Sequence, residues 1–258
     1  TPGDTSYISN LVYFTTLCLP SLPPTTPEPF LNMLPSSCWA IKSGVLPATG
    51  NASLTDQGWG WYLRYTLPTS TAAVNMYSDN CQYWLITPSI DLGNGSSQYQ
   101  LDFDLARTAY DSPSIGNLNL SPNARFVVLI STDNGQTWNS NGILQEWNNT
   151  SGTPFSSINN TLQTQSIPLF DSVAMAPYSG VVRFAFYAYE YDDNYVFDND
   201  LHIDNFQVLP FNSCIKPTAL VASNITLNSL DLSWTENGSA TEWQIEYGPT
   251  GFTHGTGT

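Results

Sequence analysis

Basic residues are scarce in this chain of 258 residues: six Lys and Arg stand against 21 Asp and Glu, a formal net charge of −15. The six, Lys42, Arg64, Arg107, Arg125, Arg183 and Lys216, are scattered along the sequence. A phosphate backbone is gripped by clustered cations that displace its counterions, so nucleic acid is excluded as a partner class. Divalent cations suit the acidic excess better. Histidine is nearly absent too, with only His202 and His254. No GxSxG, HExxH or P-loop signature occurs, which removes the common serine-hydrolase, zinc-protease and nucleotide-binding readings. No run of about eighteen apolar residues is present, so no membrane insertion is expected. No segment keeps apolar residues at helical spacing through several capped turns, so helices are short at most. The chain has no starting Met and no basic stretch leading into an apolar one, so it reads as an excerpt whose signal peptide is gone or lies upstream.

What is plentiful is apolar and aromatic: 41% hydrophobic and 13% aromatic residues, with 10% charged against about 25% in ordinary soluble domains. Such a chain buries a sizeable core and covers it with Ser, Thr, Asn and Gln. The four cysteines, Cys18, Cys38, Cys81 and Cys214, form no CxxC pair and have no His beside them. They read as disulfide partners in an oxidising compartment, in one of three connectivities. A Cys18–Cys38 pair would close the Pro-rich lead-in.

Strand signals dominate. Short runs such as Gln100–Leu105, Arg125–Ile130, Val181–Ala188 and Leu201–Val208 alternate with clusters of Gly, Asn, Asp, Ser and Pro, and the fold class is therefore all-β. The stretch from Pro20 to Pro35 holds six prolines and is expected to run extended over the surface, not as a central strand. After Asn212–Pro217 a new alternating series begins. Leu230, Leu232 and Trp234 share one face, as do Trp243, Ile245 and Tyr247, so two strands of a second sandwich are expected there. The organisation is thus 1–19 as the end of a preceding module, 20–211 as the main domain and 212–258 as a truncated one.

Pro217–Thr226, Ser229–Trp234 and Trp243–Gly248 resemble the first half of a fibronectin type III domain. Residues 1–18 resemble the closing strands of another. The central region resembles the jelly-roll modules known as cleaved-adhesin, MAM-like or choice-of-anchor J domains of Bacteroidetes-type secreted proteins. The pieces that carry this are Leu34–Trp39, Tyr83–Leu92, Leu101–Asp104, Val128–Trp138, Val182–Tyr187 and Asp200–Phe206. The resemblance implies an antiparallel jelly-roll β-sandwich flanked by partial fibronectin-like sandwiches, secretion by the type IX route to the bacterial cell surface, and adhesion or ligand binding, not a shared reaction.

The densest oxygen constellation is Glu190–Asn194, Asp198–Asp200 and Asp204–Asn205. Calcium takes six to eight such oxygens in irregular geometry, and the competing reading is a solvated acidic hairpin. The resemblance points to Asp200 and Asp204 as calcium ligands, joined by Asp198 and Asp193. Family members often carry an acidic residue after the Phe that precedes the Leu-Pro; here Leu31 follows Phe30, and Glu28 is the substitute. His202, inside a strand, reads as structural. Asp102 and Asp104 alternate with Leu101, Phe103 and Leu105, which puts them on one outward face. Trp59, Trp61 and Tyr62 lie in a Gly-rich stretch and read either as ligand-binding aromatics on an exposed loop or as core, whereas Trp39, Trp84 and Trp138 are expected in the core.

These features point to a non-catalytic module of a large surface adhesin that binds glycans, proteins or neighbouring repeats and is stabilised by calcium. The alternative is an accessory binding module of a secreted hydrolase or protease.

Overall fold

A computed structural model of the chain describes residues 18–31, 38–56, 60–77, 81–116, 123–190, 198–211, 217–226, 228–236, 242–249 and 251–253. Trp59, Asp193, Cys214 and nearly all of the expected module at 1–19 lie outside those residues. Contacts divide the chain into two units, Thr1–Pro210 and Phe211–Thr258.

The first unit is an antiparallel β-sandwich. Its larger sheet runs in the order β2 (Thr55–Asp56), β1 (Ala40–Ser43), β5 (Cys81–Ile86), β13 (Val181–Glu190), β8 (Arg125–Ser131) and β9 (Ile143–Trp147). A short strand β6 (Ile90–Asp91) also pairs with β13. The opposing sheet runs β10 (Gln163–Pro168), β7 (Tyr99–Ala109), β14 (Asn199–Pro210), β4 (Thr71–Met76) and β3 (Trp61–Arg64). A small hairpin joins β11 (Phe170–Asp171) to β12 (Ala176–Pro177).

Alternation along each strand decides which side chains face inward. Leu101, Phe103 and Leu105 of β7 meet Phe126, Val128 and Ile130 of β8 and Phe184 and Phe186 of β13 in one buried cluster. On β14, Leu201 and Ile203 point inward. A bulge between Asp204 and Gln207, with Asn205 at φ 51°, resets the parity so that Phe206 and Val208 point inward as well. The extra residue is what a bulge inserts, and it re-aims the side chains beside it.

The larger sheet is apolar on both faces. Trp84, Val127, Leu129, Ala185 and Tyr187 point away from the sandwich interior and pack with Leu46, Ala52 and Trp138 from loops that fold over them. Trp84 lies 5.9 Å from Trp138 and 4.7 Å from Tyr187, ring centre to ring centre. Trp39 instead packs edge-on against Phe30 and Phe206 in the interior. The expected core tryptophans are thus buried, but in two separate cores.

The Pro-rich lead-in runs extended along β14, with Thr25 donating its N–H to Val208 and Glu28 to Phe206. The Cys18–Cys38 disulfide closes it. Cys81 corrects the expectation that all four cysteines are cystine halves: its thiol is free, fully buried, and directed at the Ala188 carbonyl.

In the second unit, β15 (Thr218–Ser223) pairs with β16 (Asp231–Thr235). The expected strand at 242–247 does not form, because an extended segment needs a partner for its backbone groups. Trp243, Ile245 and Tyr247 are exposed, and Trp243 meets Trp234 edge-on.

Candidate functional site

The outer face of the five-stranded sheet carries most of the residues that the sequence marks. On β14, Asp200, His202 and Asp204 all point to it, and all are buried. They do not act as one cluster. Successive same-face residues on a strand lie about 6.6 Å apart, so Asp200 and Asp204 stand at opposite ends of a row with His202 between them.

Asp200 is held by an arginine. Arg64 reaches it from the edge strand β3, with Nε 3.1 Å from Oδ2, while Tyr62 donates its hydroxyl to Oδ1 at 2.6 Å. Asn75 and the Asp111 N–H complete the set. The guanidinium sits between the Tyr62 and Tyr110 rings, 4.7 and 4.5 Å from their centres. Burial and the Asp200 charge push the Tyr62 phenol far above its ordinary value. The Asp200 carboxylate is thereby compensated by a guanidinium.

His202 is clamped between Thr71 at Nδ1 and Thr108 at Nε2, 2.8 Å each. Burial, with the Arg64 charge beside it, lowers its pKa to about 4. A neutral, fully hydrogen-bonded imidazole serves as structure, not as a general base at neutral pH.

Asp204 accepts from Thr69 and from the Asn205 N–H. Its cross-strand partner is Asp104, which accepts from Thr164 and from the Asn205 side chain. Glu28, which accepts from the Phe30 N–H, adds its charge nearby. Burial, then Asp104 and Glu28, raise Asp204 to about 6 against the hydrogen bonds that favour its charged form. Asp102 lies on this face too, largely covered and bonded to Gln100. Asp198 is exposed and directly precedes β14. Among the described residues no three His, Cys, Asp or Glu converge tightly enough to hold a metal ion.

Of the two readings of Trp61, the structure supports the core one and not the ligand-binding one: it is 3% exposed and packs against Phe126 and Phe186 in the sandwich interior. The chain enters β3 with Trp61 on the inward parity, and Tyr62 then falls on the outer face.

Sequence reasoning missed one concavity. On the outer face of the larger sheet, beside the second core, a cleft of about 610 Å³ is lined by Arg125, Glu146, Asn148, Tyr187 and Tyr189, with Val45 and Leu46 on one wall. Arg125 and Glu146 form a two-pronged pair at 2.7 and 2.9 Å. Burial opposes ionisation of Glu146, but its bonds from Arg125 and Asn148 outweigh that and hold the carboxyl below its usual range. The Tyr187 and Tyr189 rings stack with centres 6.3 Å apart. The signal for this face was the alternation of Tyr187 and Tyr189 with Phe186 and Ala188, apolar on both sides of one strand.

No family model matches the chain, and no curated protein matches it. Among solved structures, the K1 cleaved adhesin domain of Lys-gingipain from Porphyromonas gingivalis W83 is similar at 16% identity and a TM-score of 0.41, over 72% of this chain and 97% of that one. The N-terminal cellulose-binding domain of Cellulomonas fimi β-1,4-glucanase C aligns at 9% identity and a TM-score of 0.33, over 67% and 89%. The enzymatically active domain of bacteriophage CBA120 tailspike protein 4 aligns at 12% identity and 0.35, over 68% of this chain and 20% of that one.

Proposed function

We propose that this chain is a non-catalytic binding and adhesion module of a secreted, multidomain surface protein. The observation that carries this is the contrast between its two outer faces. One holds Asp102, Asp104, Asp200, His202 and Asp204 in structural hydrogen bonds; the other holds an open cleft of paired charges and aromatic rings. Such a cleft can hold a ligand, whereas His202 between its two threonines has no freedom to move a proton. The disulfide fits an oxidising compartment. The exposed apolar side chains of the second unit, among them Leu230, Trp243 and Ile245, support a fibronectin-like reading of that unit.

Calcium belongs to the same reading, drawn to the Asp204 end of β14 by the charges of Asp104 and Glu28, which do not by themselves form a finished metal cluster. Uncompensated negative charge at a buried carboxyl is what a hard cation relieves. Asp200, paired with Arg64, lies outside that set. A ligand that binds only the native state raises the melting temperature with its concentration. Melting with calcium and with EDTA tests this: equal curves would remove calcium from the reading. The binding function itself is tested by presenting the labelled chain to an array of immobilised glycans and extracellular proteins with an albumin control. Retention on no spot above albumin would overturn it.

A further inference from the structure

We infer that the cleft on the larger sheet is a subsite for a neutral saccharide, with Tyr189 as its aromatic wall and Arg125 and Glu146 as its polar one. The inference rests on the reading of the chain as a binding module and names the ligand class of that module.

Charge comes first. Arg125 is the cation of the cleft and is neutralised in place by Glu146, so an anionic ligand gains no net attraction there. The chain as a whole is at −15 and repels anions. The pair nevertheless keeps hydrogen-bonding capacity on both sides. Nε and Nη2 of Arg125 serve Glu146, which leaves Nη1 to donate to a ligand. Glu146, held ionised, is an acceptor only and can take ligand hydroxyls. A ligand that offers donors and acceptors side by side, without charge, is a polyol.

The aromatic group comes next. Tyr189 stands next to Arg125 across the β13–β8 pair, half-buried and stacked on Tyr187. Its ring is held rigid for contact with the apolar face of a sugar. Ser151 adds a hydroxyl on the rim.

An extended peptide is disfavoured by the edge beside the cleft. Strand addition needs a free row of backbone groups. Here the chain folds back, with Thr153 donating to the Glu146 carbonyl, Asn148 to the Thr153 carbonyl, and Gln145 to the Thr153 hydroxyl. The C-terminal end of the β9 edge is thereby covered. A second, more open hollow shares Glu146, Asn148 and Ser151 with the first.

The test is ligand-observed NMR of the full chain with cellobiose, xylobiose, mannobiose, lactose and their tetrasaccharides. The wild type is compared with Tyr189→Ala, Ser151→Ala and, on the other sheet, Tyr65→Ala. Binding of at least one of these sugars is expected, weakened tenfold or more by Tyr189→Ala and several-fold by the mild Ser151→Ala, and unchanged by Tyr65→Ala. Far-UV circular dichroism and melting verify that each variant is folded. Sugar binding that survives both cleft variants, or none to any probe while the array shows protein spots, overturns the saccharide site and leaves the binding reading standing. Silence on the sugars and the array together overturns both.

Discussion

Asp104 and Asp204 stand directly opposite each other on adjacent antiparallel strands, two carboxylates in register at the β14 bulge. Like charges so placed repel. The sheet tolerates them by crowding donors around them, and Asn205 serves both, its N–H on Asp204 and its side chain on Asp104.

That pairing leads to a pH prediction with two opposing parts. Asp204 titrates near 6 in the native state against 3.8 for its ordinary value. Between those values the native state holds a proton the unfolded chain has released, so stability falls as pH rises from about 4 to 6, by roughly 3 kcal/mol at most. His202 does the reverse. Its native value near 4 lies below the ordinary 6.5, so its contribution is complete above pH 6.5 and is lost as pH falls toward 4, again by roughly 3 kcal/mol at most. In EDTA the wild type should therefore be nearly flat between pH 4 and 6.5. Asp204→Asn should be more stable than wild type at pH 7 and lose stability on acidification, and His202→Gln, though weaker throughout, should gain on acidification. Parallel urea-denaturation profiles for wild type and Asp204→Asn would sink this account.

Arg64 is the stability hinge of the polar face. Its removal leaves the fully buried Asp200 carboxylate without its cation, which costs about 3–5 kcal/mol. Arg64→Ala should lower the urea midpoint accordingly, and Asp200→Asn in the same chain should recover part of the loss. Arg64→Lys should rescue poorly, because an ammonium lacks the planar group that lies between Tyr62 and Tyr110. Full rescue by lysine would show that charge alone matters.

Much of the sandwich was legible because its signals are local. The alternation of Leu101, Phe103 and Leu105 with Asp102 and Asp104 is written in consecutive residues, and so is the double-sided apolar run of β8. Partnerships across long separations were not. The cation that meets Asp200 stands 136 positions earlier, on another strand. Trp61 stayed open between loop and core because its flanks are rich in glycine, while its parity is fixed only by pairing with β4. The cleft brings Arg125 of β8 and Glu146 of β9 beside Tyr187 and Tyr189 of β13, and only the tyrosines leave a signal in their own segment.

The place of Trp61 in the core has a direct check. Its ring fills the interior against Phe126 and Phe186 while its Nε1 is buried without a hydrogen-bond partner. Trp61→Ala should cost about 3–5 kcal/mol through the cavity it leaves. Trp61→Phe should cost far less, about 1 kcal/mol, because the lost volume is offset by removal of an unsatisfied donor. Equal, negligible losses would return Trp61 to the surface.

The two described cysteine environments separate by chemistry. The Cys18–Cys38 bond closes a loop of about twenty residues across the lead-in, and such a loop contributes about 3 kcal/mol by restricting the unfolded chain. Cys38→Ser should lower stability by that order and release the lead-in from β14, visible as faster amide exchange at Thr25 and Glu28, whose N–H groups are bonded there. Cys81 should behave otherwise. Burial, with the Glu190 charge added, pushes its thiol far above the ordinary range, and a thiol without thiolate character does not react. Iodoacetamide should leave Cys81 unmodified in the native protein and label it fully in urea without reductant. Rapid native labelling at Cys81 would contradict its place in the core.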